Sequence, residues 1–202
     1  MTPRDPEPTT TSAESDTVAE FYDQHPYPPP VTDLGPLAEA WRDGRQRRIE
    51  HFRMWPALPF RDDHRILVAG CGTSQAAKYA IRYPDAHVVG IDVSDASLQH
   101  TRALADRFGL DNLELHLLPV EQAARLGEEF DHVVSTGVLH HLSDPATGLL
   151  ALRNVLAPGA AMRIMLYAPY GRTGVYMMQE YCRRLGVTTA PGDLAELVET
   201  LR

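Results

Sequence analysis

A glycine-cysteine-glycine corner, Gly70-Cys71-Gly72, closes the apolar run "RILVA", and Asp92 ends a second apolar run twenty-two positions after Gly70. Glycines at such a corner permit positive φ angles and a close backbone approach that side chains would block. Amides at the start of the following helix lack partners within it and can face a ligand. An acidic residue at about that distance can accept both hydroxyls of a ribose. Each feature also has a plainer explanation: a tight turn for the glycines, a helix cap for Asp92. Ser94 and Asp95 already offer caps, so Gly70, Gly72 and Asp92 together point to an adenosine-containing ligand. A phosphate-cradling Gly-x-x-x-x-Gly-Lys-Ser/Thr loop fails, because "TSQAAK" follows Gly72. A nicotinamide site would place a third glycine where Gln75 stands, so that reading ranks second.

Two further groups could carry chemistry. His140 and His141 follow the apolar run "FDHVVSTGV". A histidine titrates near neutrality and can take a proton from a nucleophile. The plainer reading makes one a packing residue and the other a cap before "SDP". Adjacent positions point apart, which argues against a shared metal ion. Tyr22, Asp23, His25 and Tyr27 in "FYDQHPYP" form either a lid lining the acceptor pocket, with Tyr22 a candidate catalytic group, or a proline-rich linker. Docking of "PYPP" to a proline-reading partner is a third option. Tyr167, Tyr170 and Arg172 follow the fifth apolar run, and Met177, Met178 and Tyr181 read as core packing. Cys71 and Cys182 have neither disulfide nor metal-ligand spacing, so a reduced, cytoplasmic setting and no metal site are expected.

The elements that would position these residues alternate strand and helix. "RILVAG", "AHVVGIDV", "LELHLL", "FDHVVSTGV" and "AMRIMLYA" read as five buried strands. Between them lie helices over "TSQAAKYAIRY", "SDASLQHTRALADRFG" and "SDPATGLLALRNVLAPG", with a short helix around Glu121 to Leu126. Pro145 sits in a first turn, and Gly109 and Gly159 lie beyond helix ends. Strands apolar on both faces and separated by helices predict a Rossmann-like, doubly wound α/β fold, its mainly parallel sheet covered by helices on both faces. Upstream, one helix is expected from Gly35 to Trp55, burying Leu37, Trp41, Ile49, Phe52 and Trp55. Helical additions at both ends complete the architecture: a disordered tail over 1–16, a helical and proline-rich lid segment over 17–61, the ligand-binding domain over 62–170 and a helical extension over 171–202. No strand follows that extension, so either the chain is part of something longer or another element supplies the sheet's edge.

Composition narrows the function classes. Apolar residues make up 44% and charged residues 23% of the 202 positions, a soluble, globular balance. A formal charge of −8 disfavours nucleic acid, whose binders carry a basic face, and the basic cluster "RDGRQRR" fits a solvated helix face. No signal peptide is visible, and no apolar run reaches the ~18 residues that span a bilayer.

The segments "ILVAGCGTS", "VVGIDVSDASL" and "FDHVVSTGVLHHLSDP", in that order, resemble the class I S-adenosylmethionine-dependent methyltransferases over roughly Arg65 to Ala168. "FYDQHPYPPP" and "YGRTGVYMMQEYCRRLG" resemble a bacterial subgroup of them whose acceptors are poorly defined. The resemblance implies S-adenosylmethionine as cofactor. Gly70, Cys71 and Gly72 would run along its methionine part, Asp92 would hold the ribose hydroxyls and Val93 would lie against the adenine. Pro119 stands where family members often carry an acid for the adenine amino group, with Val120 and Glu121 following. Thr136 and Gly137 would line the cofactor near its sulfonium. Two departures stand out: Val68 replaces a common acid in the first strand, and Ser74 replaces a third glycine.

The function implied is methyl transfer from the sulfonium to an O, N or C nucleophile of a small-molecule acceptor, with His140 or Tyr22 as candidate catalytic groups. The alternatives are a nicotinamide-dependent oxidoreductase, for which no Tyr-x-x-x-Lys arrangement exists, and a non-catalytic cofactor-binding or docking domain. Acceptor identity and oligomeric state are not written in the sequence.

Overall fold

The computed structural model describes residues 23, 28–168, 170–188 and 190–200. Tyr22, His25 and Tyr27 lie outside the described residues. The chain divides into two compact units after Leu166.

In the first unit, β1 (Arg65–Ala69), β2 (His87–Asp92), β3 (Leu113–Leu117), β4 (Phe130–Thr136) and β5 (Leu156–Met165) form one sheet in the order β3-β2-β1-β4-β5. Every neighbouring pair is parallel. This is the doubly wound arrangement expected from strands with no polar face. Successive residues of β1 serve opposite layers. Ile66 and Val68 pack with Ala76, Tyr79, Ala80 and Leu98. Leu67 and Ala69 pack with Val120, Ala123, Phe130 and Leu152.

Helices α3 (Gln75–Arg82) and α4 (Asp95–Phe108) serve the first of these layers, and α5 (Pro145–Arg153) serves the second. Ser94 caps α4, its Oγ accepting the Ser97 amide at 3.1 Å, and Gly109 ends it in a left-handed conformation. Asp144 caps α5 by accepting the Ala146 amide at 2.9 Å, with Pro145 in the first turn. Gly90 lets α3 sit tight on the sheet. A β-carbon there would lie 2.8 Å from Ala76 Cβ and 2.7 Å from a Leu115 methyl.

Two expected elements differ. The single helix over 35–55 is two, α1 (Gly35–Trp41) and α2 (Arg45–Met54), broken where Gly44 turns left-handed and Asp43 accepts the Arg45 amide. The break resets the helical phase, so His51 and Trp55 face inward while Ile49 and Phe52 stay exposed. The last helix of the sheet region ends at Arg153, and Gly159 lies inside β5 rather than beyond a helix. The β4–β5 register shifts between Phe130 and His132, which accommodates the extra residues of β5. Trp55 Nε1 donates to Gly159 O at 3.0 Å across this irregularity.

In the second unit, α6 (Thr173–Leu185) ends at left-handed Gly186, and α7 (Pro191–Thr200) follows. Thr188 donates through both its amide and its hydroxyl to Asp193 Oδ2 at 2.7 Å. Met177, Met178 and Tyr181, expected to pack in a core, are exposed. Their helical spacing is real, but among the described residues of this unit no element covers that stripe.

Candidate functional site

β1 must turn into α3 at the carboxyl end of the sheet, and the corner does so with Gly70 at φ 71° and Gly72 at φ 53°. Its amides are spent within the protein. Gly70 and Cys71 both donate to Ile91 O, at 2.9 and 3.0 Å. Gly72 donates to Asp92 Oδ2 at 2.7 Å, and its carbonyl accepts the Thr101 hydroxyl at 3.0 Å. These three amides stitch β1 to β2, which leaves the helix-start amides beyond Gly72 as the ones the sequence reading offers to a ligand. Gly70 has a packing reason as well. A β-carbon there would come within 2.2 Å of Val138 Cγ2, just past the end of β4.

Asp92 is the hub of the arrangement. Its Oδ1 accepts the Ser94 amide at 3.0 Å while Oδ2 holds Gly72. Its carbonyl accepts the Leu118 amide at 2.9 Å, which fixes the exit of β3 beside it. Burial raises its pKa above the ordinary aspartate value. The amides of Ser94, Gly72 and Val93 pull it down again, and the nearby Asp23 charge pushes it up.

The structure brings most of the sequence-predicted residues to one edge. Gly70, Cys71 and Gly72 follow β1, Asp92 and Val93 follow β2, and Val120 and Glu121 open the 3₁₀ turn Val120–Leu126 after β3. Thr136 ends β4, and left-handed Gly137 donates to Met165 O at 2.9 Å. Cys71 contributes backbone alone, because its side chain is buried on the α3 side of the sheet. Burial there, with Asp92 adding to it, pushes the thiol well up, so it stays protonated. Val120 is likewise almost wholly buried.

His140 lies in the 3₁₀ turn Leu139–His141, half-buried, while His141 is exposed. Their ring centroids are 4.2 Å apart at 44°, so the expectation that adjacent positions point apart is also corrected. In a tight 3₁₀ turn, neighbouring side chains need not diverge as they do on a strand. The two family departures are accommodated too. Ser74 has an extended φ of −163°, which asks for no glycine, and Val68 is fully buried among apolar neighbours.

Sequence reasoning missed three contacts. Thr101, buried in mid-helix, holds Gly72; Val138 fills the space above Gly70; and Thr73 Oγ1 donates to Pro28 O at 2.7 Å. The "FYDQHPYP" segment did flag Asp23. Its Oδ1 accepts the Ser94 hydroxyl at 2.6 Å and the Ala96 amide at 3.2 Å. Residues Val31, Leu34 and Leu37 pack with Ala77 and Leu104, and Arg107 donates to Thr32 O at 2.7 Å.

The donor set fits an adenosine compound. A carboxylate offers about four lone-pair sites, and two at Asp92 are filled by backbone amides that also fix its orientation. The remaining two suit a vicinal diol. In open parallel sheets, ligands bind beyond the carboxyl ends of the strands, where this residue stands.

Residues 67–162 match the family model described as a methyltransferase domain. The chain is 36% identical over 171 residues to an uncharacterised Synechococcus sp. protein, covering 81% of this chain and 39% of that one. It is 28% identical over 142 residues to a ubiquinone biosynthesis O-methyltransferase of Acinetobacter baumannii, covering 70% and 54% respectively. The chain therefore spans between two fifths and just over half of these curated relatives. Among solved structures, the [4+2]-cyclase SpnF superposes with a TM-score of 0.53 at 19% identity, covering 74% of this chain and 59% of the cyclase. That likeness concerns the fold alone.

Proposed function

We propose that this chain, whose residues 67–162 match a methyltransferase domain on a parallel α/β sheet, is a class I methyltransferase that binds S-adenosylmethionine at the Gly70–Asp92 corner and transfers the methyl group to an acceptor. The observation that carries the reading is Asp92. Its carboxylate is gripped by the Gly72 and Ser94 amides at the strand ends, with two acceptor sites left for a ribose diol. Val93, Val120 and Glu121 would hold the adenine, the Gly70-Cys71-Gly72 backbone would run beside the methionine portion, and Thr136 and Gly137 would border the reacting end.

When bound, the cofactor supplies an electrophilic methyl on a sulfonium. The work left to the protein is alignment, and holding an acceptor in line lowers such a barrier by ~7–11 kcal/mol in favourable cases. An acceptor bearing a proton also needs a base, and His140, on the turn after β4, is the candidate. Its contribution would be about 10²–10⁴ in rate. Tyr22, in the "FYDQHPYP" segment, is the second candidate. The acidic balance and the O-methyltransferase name of the Acinetobacter relative favour a small acceptor, with oxygen as the first nucleophile to try.

The test is calorimetric titration with S-adenosylmethionine, S-adenosylhomocysteine and NAD. Saturable binding of both sulfur compounds, lost in Asp92→Ala and absent for NAD, is expected. Binding of NAD alone would replace this reading with the oxidoreductase one. Binding without any methyl transfer to a panel of small acceptors would favour a non-catalytic domain.

A further inference from the structure

Ser94 is held between two carboxylates. Its amide donates to Asp92 Oδ1 at 3.0 Å, and its hydroxyl donates to Asp23 Oδ1 at 2.6 Å. The same Oγ accepts the Ser97 amide at 3.1 Å, and Ser94 is fully buried. Asp23 also accepts the Ala96 amide at 3.2 Å, so it grips both the cap residue and the first turn of α4. We infer that Asp23 is a positioning residue for the adenosine-binding carboxylate, acting through Ser94.

A single proton couples the two carboxylates. A serine hydroxyl that caps a helix must turn a lone pair toward the helix amides, and its own proton then needs another acceptor. Asp23 is that acceptor, and a hydrogen bond to an ionised group is about twice as strong as a neutral one. With the proton committed there, the Ser94 rotamer is fixed. The amide of the same residue is then fixed against Asp92. Without Asp23 the hydroxyl must find a new acceptor or lose its orientation. In either case the grip on Asp92 Oδ1 loosens at the atom that would face the ribose.

From Pro28 onward the chain docks on α4, the helix that Asp23 meets, and on α3 beside it. Pro28 O accepts the Thr73 hydroxyl beside the glycine corner, and Thr32 O accepts Arg107 of α4. Leu34 is buried against α3 and α4. The N-terminal stretch therefore touches both helix starts that border the corner. An exposed aspartate that merely capped α4 would stabilise the helix without altering ligand affinity, and that is the distinction to be tested.

The inference rests on the adenosine reading of the corner. S-adenosylhomocysteine is titrated by calorimetry into the full chain and into Asp23→Ala, Asp23→Asn, Ser94→Ala and the Asp23→Ala/Ser94→Ala pair, with thermal unfolding of each ligand-free protein alongside. Asp23→Ala is expected to weaken binding about tenfold, equivalent to about 1.4 kcal/mol. Asp23→Asn, which keeps an acceptor oxygen, is expected to recover affinity to within about threefold. In the Ser94→Ala background, Asp23→Ala should cost nothing further. Equal affinity of Asp23→Ala and the parent chain overturns the inference, as does a full additional loss in the Ser94→Ala background. A lowered melting temperature with unchanged affinity overturns it too, leaving a plain helix cap. Failure of the parent chain itself to bind defeats the adenosine reading instead.

Discussion

Replacing Gly70 by alanine tests why the corner is glycine. The added β-carbon would meet Val138 Cγ2 at 2.2 Å, Cγ1 at 2.9 Å and Cβ at 3.1 Å, and the backbone there is left-handed at φ 71°. A left-handed non-glycine residue costs about 1–2 kcal/mol. Forcing a packed neighbour aside adds ~1–3 kcal/mol. Gly70→Ala should therefore lose about 2–5 kcal/mol, a large share of the ~5–15 kcal/mol that holds a typical domain. Val138→Ala alone removes two methyl groups and should cost about 1–2 kcal/mol at ~0.8 per carbon.

Combined, the two changes remove the collision but keep the backbone strain. The double variant should thus be more stable than the sum of the singles by about 1–3 kcal/mol, read from urea midpoints at constant slope. Because the new methyl points at Val138, the double variant should also bind S-adenosylhomocysteine within about threefold of Val138→Ala. Additivity within ~0.5 kcal/mol would refute the packing argument. Restored stability with abolished binding would show that the ligand itself needs the bare backbone at position 70.

The remaining predictions concern titration and one buried hydroxyl. His132 is almost fully buried, and burial, helped by the Arg163 and His64 charges, holds its pKa down at about 3 against an ordinary 6.5. Between those values the unfolded chain binds the extra proton, so this contribution to stability is complete above pH 6.5 and falls by about 2 kcal/mol by pH 5. Urea midpoints against pH should show the slope, and His132→Phe should flatten it. Asp92, raised by burial, should lose ligand as the pH falls through a midpoint above that of an ordinary aspartate. Asp92→Asn should bind weakly and without that dependence, by calorimetry from pH 4 to 8. Thr101→Val leaves the Gly72 carbonyl short of a donor and should cost about 1 kcal/mol with a parallel loss of ligand affinity, while an effect on neither would detach Thr101 from the corner.

The sheet was legible in the sequence because its central strands have no polar face. Runs such as "RILVA" and "HVVGID" permit one arrangement, a parallel sheet covered on both sides, and the observed order follows. Local chemistry placed both ends of α4 and the start of α5 as well: Ser94, Gly109 and Pro145 each act within a few residues of themselves. The errors came where a distant contact decided. The break at Gly44 is the exception: its signal, the Asp43-Gly44 pair with Asp43 accepting the Arg45 amide, is local and was outweighed by the helical pattern on either side. Gly159 resembled a helix stop, yet its carbonyl takes the Trp55 indole, a partner 104 positions away.

The site divides along the same line. Gly70, Gly72 and Asp92 were found by spacing, and the structure adds that the corner's own amides go to Ile91 and Asp92. The glycines thus act first on the protein's own geometry. They let β1 close on β2, admit Val138 above the corner and orient one carboxylate at the edge of the sheet. A ligand-binding aspartate needs its direction fixed before the ligand arrives, since each loose torsion weakens what it can hold. Thr101, Ser94 and Asp23 supply that fixing from two helix positions and the N-terminal stretch. Their sequence separations follow no short motif, so only the folded chain displays them as one set. Recognition of such a corner from glycine spacing alone therefore finds the proposed cofactor site and leaves unseen the residues that orient Asp92 within it.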